Sequence, residues 1–506
     1  MTIVNWKKLQ NGSDIRGVAL EGVEGESVNL TSEVVTILGK AFTQWLSQQR
    51  NKSIPELTIS VGRDSRLSGE ILLQAVSKSI TDLGAKVFDF AIASTPAMFM
   101  STITEGFNCD GAIMLTASHL PFNRNGLKFF TQQGGLDQEN ITDILALAEK
   151  NEFIDNEQKG IITQNDFISI YSDRFVEMIR NAVNHPDNFE QPLQGLKIIV
   201  DAGNGAGGFY ASQVLQPLGA DITGSQFLEP DGNFPNHIPN PENKEAMASI
   251  SSAVINNNAD LGIIFDTDVD RAAAVDSEGR ELNRNRLIAL ISAIVLQEHP
   301  HSTIVTDSIT SDGLTLFIAD LGGKHHRFKR GYKNVINESM RLNEIGEESW
   351  LAIETSGHGA LKENYFLDDG AYLMAKLLIE LARLRLQDKK LTDLIVNLVE
   401  PVESEEFRLK INTEDFKSYG NQVINDLAEF VHSQADWEIV QPNYEGIRVA
   451  CNSEKEKGWF LLRLSLHDPV IPLNIETNIA GGIAQIASRL LTFFQRYEDL
   501  DLSAFN

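Results

Sequence analysis

The sequence predicts an α/β protein of several domains. Strand-like apolar runs end repeatedly in polar loops. The runs lack the strict alternation of half-exposed strands. Helical patterns lie between them. Apolar runs buried on both faces belong to sheets covered by helices. In such sheets ligands bind beyond the carboxyl ends of strands, so function is expected in the polar loops.

Taken in order, Leu57 to Val61 runs into Gly62-Arg63-Asp64-Ser65-Arg66, and Gly111 to Leu115 into Thr116-Ala117-Ser118-His119. Lys197 to Val200 leads to Asp201-Ala202-Gly203-Asn204-Gly205, and Leu261 to Phe265 to Asp266-Thr267-Asp268-Val269-Asp270-Arg271. Trp350 to Ile353 leads to Glu354-Thr355-Ser356-Gly357-His358. A helical pattern is expected after each loop. Ala371 to Leu386 reads as a long amphipathic helix, with Leu and Ile three and four residues apart. Loops are expected at Asn184 to Asn188, Asp231 to Pro235 and Asn240 to Asn243. The acidic, proline-broken stretch from Glu400 to Glu406 reads as a boundary.

Length and composition agree. The chain has 506 residues, and at roughly 150 residues per domain that allows about three domains, or four small ones. With 42% apolar and 22% charged residues, disordered and collagen-like classes are excluded. Two cysteines, Cys109 and Cys451, make no disulfide framework and no Cys-x-x-Cys zinc pattern. A reducing, cytoplasmic setting is expected. The net charge of -27 makes nucleic acid and anionic membranes poor partners, and an anionic substrate would need a locally basic pocket. The longest strongly apolar stretch, Leu287 to Leu296, is about half a membrane span. No apolar run follows Lys7 and Lys8, so no signal peptide is expected.

Four loops carry chemistry. Asp266, Asp268 and Asp270 form a hard oxygen cluster that repels itself unless a cation holds it, which favours Mg²⁺ with a phosphate completing the shell. A helix-loop-helix calcium site fails, because Arg271 and Ser277 stand where Gly and Glu are required. The strand-then-Asp-x-Asp start also resembles haloacid-dehalogenase phosphatases, but Val269-Asp270 does not continue that pattern. Ser118 at a strand end, with His119 beside it and Lys128 nearby, suits an exposed nucleophile with groups that move protons or hold phosphate. No Gly-x-Ser-x-Gly elbow exists, so a hydrolase triad is not indicated. Gly203, Gly205 and Gly208 fit a dinucleotide fingerprint in spacing. However, the acidic residue Asp221 precedes the next expected strand, at Ile222 onward, instead of ending one. A tight strand-to-helix turn is the better reading. Arg463, Ser465 and His467, after the strand Trp459 to Leu462, offer donors suited to a phosphate.

Together these motifs resemble the α-D-phosphohexomutases, the phosphoglucomutase/phosphomannomutase group. The serine loop Thr116 to Pro121 with Asn125 to Lys128 has Leu120 where the family has Asn. The metal loop Asp266 to Arg271 has Thr267 for Gly, and the sugar loop Ile353 to His358 has Ile353 for Gly. Asp14-Ile15-Arg16-Gly17 and Gly331-Tyr332-Lys333 match two further motifs. The phosphate loop Arg463 to Pro469 has His467 for Thr and Asp468 for Glu.

The resemblance implies three similar α/β domains with mixed sheets, plus a smaller α+β C-terminal domain, around one central cleft. Their spans would be 1–165, 166–280, 281–398 and 399–506. It implies a mutase interconverting hexose 1- and 6-phosphates of glucose or mannose through a phosphorylated Ser118 and a hexose 1,6-bisphosphate, which also serves as activator. Phosphoglucosamine mutase, a phosphosugar phosphatase and a non-catalytic phosphosugar binder are the alternatives. Mg²⁺ would be held by Asp266, Asp268, Asp270 and the phosphoserine. Arg271 would neutralise phosphoryl charge, and His119, Lys128 and His358 are candidates for proton transfer. Glu354 and Ser356 would anchor sugar hydroxyls. Arg463, Ser465 and His467 would hold the non-reacting phosphate, and Arg16 and Lys333 would add positive charge.

His467 generates a test. A protonated imidazole donates a charge-assisted hydrogen bond, roughly twice as strong as a neutral hydroxyl's. KM is therefore expected to rise with pH as the ring loses its proton, and His467→Thr to flatten that rise. Parallel KM curves between about pH 6 and 9, the range in which an imidazole titrates, would show that His467 does not read the phosphate.

Overall fold

The computed structural model describes residues 4–465 and 468–505. These form two compact units: one runs to residue 287 and adds 356–393, and the other comprises 288–355 and 394–506.

The first unit contains two mixed sheets. The larger has eight strands. Its centre is β1 (Asp14–Val18), β2 (Thr58–Arg63), β3 (Lys86–Ile92), β4 (Gly111–Leu115) and β5 (Arg124–Thr131). β3, β2 and β4 run parallel, and β5 returns antiparallel between β4 and β1. β4 is buried at every residue, as its unbroken apolar run requires. The helices α1 (Ser32–Arg50) and α2 (Gly69–Asp82) cover this sheet. Phe42 of α1 meets Phe129 of β5 with ring centroids 4.8 Å apart.

The second sheet contains β6 (Ile198–Asp201), β7 (Leu261–Phe265) and β8 (Ala272–Asp276), in that spatial order. β6 and β7 are parallel, while β7 and β8 are antiparallel, with Phe265 opposite Ala272. Residues 266–271 are therefore the tip of a hairpin. Helix α3 (Lys244–Asn257) packs on this sheet through Met247, Ile250 and Val254. The unit also holds the hairpin Gly359–Leu361 with Leu367–Asp368 and the buried helix Gly370–Arg385, close to the helix expected from Ala371.

In the second unit β9 (Thr303–Asp307), β10 (Lys324–Phe328) and β11 (Ser349–Ile353) pair in parallel, with β9 in the middle. Helix α4 (Tyr332–Glu344) lies against β9 and β11. An antiparallel five-stranded sheet follows: β12 (Glu403–Lys410), β13 (Trp437–Ile439), β14 (Ile447–Cys451), β15 (Gly458–Leu462) and β16 (Val470–Thr477). Helices Phe416–His432 and α5 (Gly482–Phe494) close one core with it. The fold class is thus the expected one, three α/β parts and a fourth with an antiparallel sheet. Among the described residues no helix is long and apolar enough to cross a membrane.

Four local expectations are corrected. After β4, β7 and β11 a strand follows, not a helix. Leu127, Phe129 and Phe130 in β5 and Ala272 to Val275 in β8 are all buried and extend the sheets. No strand begins at Ile222. Asp221 takes up the amide of Thr223 in a turn, and Asp221 and Gln226 make isolated bridges to Lys197 and Asp201.

Gly39 lets α1 and α2 approach closely. A Cβ there would lie 2.2 Å from Ser79 Oγ and 2.8 Å from Val76 Cγ2. Gly→Ala in a helix ordinarily gains about 1 kcal/mol, but forced overpacking costs about 1–3 kcal/mol. Gly39→Ala is therefore expected to lower the thermal midpoint, and an unchanged or higher midpoint would show that the two helices separate freely.

Candidate active site

The serine and aspartate loops converge in the first unit, at the carboxyl ends of β4 and β7. Ser118 has left-handed backbone (φ 50°), uncommon for a residue with a side chain. Its hydroxyl donates to Asp266 Oδ2 at 2.9 Å and accepts from an Arg271 terminal nitrogen at 3.0 Å.

The left-handed turn is held from beneath. The buried guanidinium of Arg66 donates to four carbonyls, those of Ser118, Leu120, Pro121 and Arg124. Asp64 pairs with Arg66 at 3.3 Å and accepts from Thr116 Oγ1 at 2.6 Å, whose oxygen in turn accepts the Ser118 amide at 2.9 Å. Burial first of all raises the Asp64 pKa, to about 6, against the pull of Arg66. Asp64 and Arg66 went unassigned in the sequence. Their one signal was a charged loop at a strand end.

The three aspartates of the β7–β8 tip are buried, with carboxylate oxygens within 4.8 Å of one another. Lys128 Nζ lies 3.0 Å from Asp268 Oδ2 and 2.5 Å from Asp270 Oδ2, and Thr95 Oγ1 donates to Asp268 Oδ2 at 2.5 Å. Arg271 Nε meets Asp266 Oδ2 at 3.2 Å. Burial, then the neighbouring Asp270 and Asp268, push the Asp266 pKa well above the carboxylate range. Burial acts the same way on Asp270, but Lys128, His358 and Arg271 outweigh it and hold that carboxyl low. Asp268 Oδ1 and Asp270 Oδ1 are buried without a hydrogen-bond partner. Two orphaned carboxylate oxygens in a three-aspartate cluster fit a hard divalent cation.

His119 Nδ1 receives a bond from Arg271 at 2.5 Å. Arginine can only donate, so this ring nitrogen is an acceptor. Burial and then Arg271 lower the His119 pKa to about 2, so the ring is neutral. His358 is the opposite case. Burial lowers its pKa, but Asp368, which its Nδ1 contacts, and Asp270 prevail and raise it to about 9. His358 bridges to Arg271 through the backbone. Arg16 pairs with Asp14 at 3.1 Å on β1, and Ser356 is buried just before Gly357.

The three glycines of the Gly-x-Gly-x-x-Gly stretch serve close packing. A Cβ on Gly205 would lie 2.7 Å from Thr267 O in the aspartate loop. On Gly203 it would meet Pro239 Cβ at 2.7 Å, and on Gly208 it would meet Leu228 O at 2.1 Å.

In the second unit Glu354 Oε1 accepts the Gly331 amide at 2.6 Å, just before α4, whose first turn carries Lys333. Arg463 lies 3.9 Å from Glu445 Oε1. The other oxygen of Glu445 takes Ser308 Oγ at 2.5 Å and the Arg330 amide at 3.1 Å. Ser465 Oγ accepts the Asp468 amide at 3.3 Å. His467 lies outside the described residues. Glu445 was not singled out by sequence; a lone acidic residue before Gly446 offers no pattern.

Family models described as phosphoglucomutase/phosphomannomutase alpha/beta/alpha domains I, II and III match residues 7–155, 173–279 and 283–402. A phosphomannomutase/phosphoglucomutase of Pseudomonas syringae pv. tomato is 31% identical over 477 residues, covering 94% of this chain and 92% of that protein. A phosphoglucomutase of Neisseria gonorrhoeae is 29% identical over 472 residues, 93% of this chain and 94% of its own. The crystal structure of a phosphoglucomutase/phosphomannomutase family protein from Burkholderia thailandensis superposes with a TM-score of 0.79 at 27% identity, covering 98% of both chains. The chain belongs to the phosphoglucomutase/phosphomannomutase family. Its class is that of isomerases that transfer a phosphate group within a hexose.

Arg66→Lys keeps the charge under Ser118 but replaces a planar fork by a point donor. One ammonium cannot span four carbonyls. Turnover is expected to fall by about 10²-fold, the scale of a roughly 1 Å misplacement, with near-normal circular dichroism. Wild-type kcat in the variant would show that Arg66 does not set the serine loop.

Proposed function

We propose that the chain interconverts hexose 1-phosphates and hexose 6-phosphates, with glucose and mannose as the hexoses, through phosphorylated Ser118 and a hexose 1,6-bisphosphate. The observation that carries this reading is the placement of Ser118. Its hydroxyl lies between a carboxylate that accepts from it and a guanidinium that donates to it. The names of the relatives in Pseudomonas and Neisseria support the two hexoses.

In the first half-reaction the Ser118 Oγ–phosphorus bond breaks, and the phosphoryl group bonds to the free O6 or O1 of the sugar, whose proton leaves to a base. In the second, the bond between the other phosphorus and its sugar oxygen breaks, that phosphoryl group bonds to Ser118 Oγ, and the freed sugar oxygen takes up the proton. Phosphoryl transfer spreads charge over the phosphoryl oxygens, so positioning and electrostatics supply most of the catalysis. Arg271, already on Ser118 Oγ, follows that charge. Asp266, Asp268, Asp270 and a phosphoserine oxygen would hold Mg²⁺. When bound, the ion neutralises phosphoryl charge as a Lewis acid. Lys128 draws the Asp268 and Asp270 carboxylates together before any ion arrives.

His119, Lys128 and His358 are the candidates for proton movement: His119, beside the Ser118 hydroxyl, neutral with Nδ1 as acceptor, and His358 as a cation. Glu354 and Ser356 take the sugar hydroxyls. Arg463, Ser465 and His467 take the non-reacting phosphate, with Arg16 and Lys333 adding positive charge. The bisphosphate acts as activator by rephosphorylating Ser118. We place the domain boundaries near residues 165, 280 and 398, a division supported by the ends of the three family matches.

The reading is tested by a coupled assay on glucose 1-phosphate, mannose 1-phosphate and glucosamine 1-phosphate, in the wild type, Ser118→Ala and Asp268→Asn. Turnover is expected with the first two sugars, to be absent in Ser118→Ala even with added bisphosphate, and to disappear after chelation or in Asp268→Asn. A strong preference for glucosamine 1-phosphate would overturn the choice of sugars. Retained turnover in Ser118→Ala would overturn the phosphoserine cycle.

A further inference from the structure

The loop 231–243, between β6 and α3, takes no part in the reading above, yet it reaches Arg271. Asn240 Oδ1 accepts from Arg271 Nη1 at 3.3 Å, and Glu242 Oε2 lies 3.9 Å from the same nitrogen. Arg271 Nη2 meanwhile lies on Ser118 Oγ. One edge of the guanidinium thus faces the nucleophile, and the other is held by this loop.

The loop itself is anchored through His237, a buried side chain. His237 Nε2 is 3.0 Å from both Asp201 oxygens at the end of β6, and Nδ1 is 3.0 Å from the Ile238 carbonyl. Asp201 accepts the Gly203 amide on one oxygen and Gln226 Nε2 on the other, as a carboxylate does, and the Ile238 carbonyl can only accept. A neutral imidazole has one N–H and would turn its lone pair towards the other acceptor, so this geometry requires a proton on each nitrogen. The Ile238 carbonyl also receives the Asn240 amide at 2.8 Å, so the ring fixes the turn that presents Asn240. The rest of the anchor is built to match. Asp201 takes the Gly203 amide at 2.9 Å and Gln226 Nε2 at 2.7 Å, and the absent side chain of Gly203 leaves room for Pro239 and His237.

We propose that His237, as an imidazolium on Asp201, is a positioning residue that fixes the 237–242 turn so that Asn240 and Glu242 set the plane of the Arg271 guanidinium over Ser118. The assignment rests on the mutase reading for its effect on turnover, but not for its geometry. The charged groups facing the ring are Asp201 from β6 and Glu245 from α3, with the Phe227 ring edge-on at 5.4 Å. Burial lowers the His237 pKa, but Asp201, the Ile238 carbonyl and Glu245 outweigh it, so the folded-state value is raised. The sign follows: a group with a raised folded pKa contributes stability at low pH and loses it as pH climbs through the folded value. The anchor is therefore strongest below the raised pKa and loosens as pH climbs through it.

The test has one arm without activity and one with it. By ¹⁵N NMR of the full chain at pH 7, both His237 ring nitrogens are expected to carry protons, and the Arg271 Nε–H resonance is expected to move in His237→Gln. A neutral ring, or an unmoved Arg271 signal, overturns the proposal whatever the enzyme turns over. In steady-state kinetics, His237→Gln and Asn240→Ala are each expected to lower kcat by about tenfold, the scale found for partners that orient metal ligands, with KM little changed. The double variant is expected to lose about tenfold, not about a hundredfold, because contacting residues on one path are not additive. Additive losses, or a lower thermal midpoint with wild-type kcat, would make His237 merely structural. If His237→Gln does not fold, the wild-type ring protonation and Asn240→Ala decide: a neutral ring or an unchanged kcat overturns the proposal. A wild type without turnover on any hexose phosphate would count against the mutase reading alone, and the NMR arm would still decide on His237.

Discussion

The constraint on which the first unit depends is the burial of three carboxylates at one hairpin tip. An isolated ionised carboxylate taken out of water costs several kcal/mol even after relaxation, and three together repel. The chain answers with cationic side chains from two directions. Lys128 arrives from β5, where its register opposite Met114 of β4 brings its ammonium to Asp268 and Asp270. Arg271 arrives from the foot of β8 and pairs with Asp266. Lys128 thus joins the two sheets of this unit by a charge pairing that neither could make alone, and Ser118 lies on the seam, its hydroxyl between Asp266 and Arg271.

Holding the tip in place demands close backbone approach. Gly205 admits Thr267. Gly370 admits Arg271, where a Cβ would stand 2.7 Å from the Arg271 carbonyl carbon and 3.0 Å from Val269 O. Val269, a β-branched residue, sits at φ 67° between two of the aspartates. Left-handed backbone of this kind costs about 1–3 kcal/mol and persists only where surroundings over-determine it. Here the Val269 carbonyl takes the Gly370 amide at 3.1 Å and its side chain is fully buried. The strain sits where alternate side chains must point to one centre. A relaxed strand also sends alternate residues to one face, but it could not turn back within six residues.

This explains what the sequence disclosed. The apolar runs at Leu57, Gly111, Lys197, Leu261 and Trp350 read correctly as strands because burial on both faces leaves a composition signal. The serine and aspartate loops were legible because side chains of one chemistry cluster over a few residues. Helices were wrongly expected after three of the loops, since Asn125 to Thr131 and Ala272 to Asp276 are compatible with either element until a neighbouring strand is known. Arg66, Thr95, Glu445 and His237 were invisible for a different reason. Each acts through partners tens of residues away or more, His237 on Asp201 and Arg66 on Ser118, and no local pattern records such a pairing.

The net charge of -27 demanded a locally basic pocket, yet three arginines of the second unit lie against resident carboxylates. Arg463 faces Glu445, Arg330 Nε lies 3.9 Å from Asp307, and Arg448, stacked 3.5 Å over the Trp459 ring, bonds Asp312 at 3.0 Å. A guanidinium buried without such a partner would carry its whole desolvation penalty. With one, it is held in place before any anion arrives, and an incoming anion gains only the difference between its own attraction and the resident carboxylate's. That difference favours the more highly charged ligand. On the proposed role of Arg463, a monoanion would offer little that Glu445 does not already offer at 3.9 Å, whereas a phosphate dianion would bring two charges and three acceptor oxygens. Such pairing is what lets Arg448 and Arg463 stay buried in a strongly acidic chain.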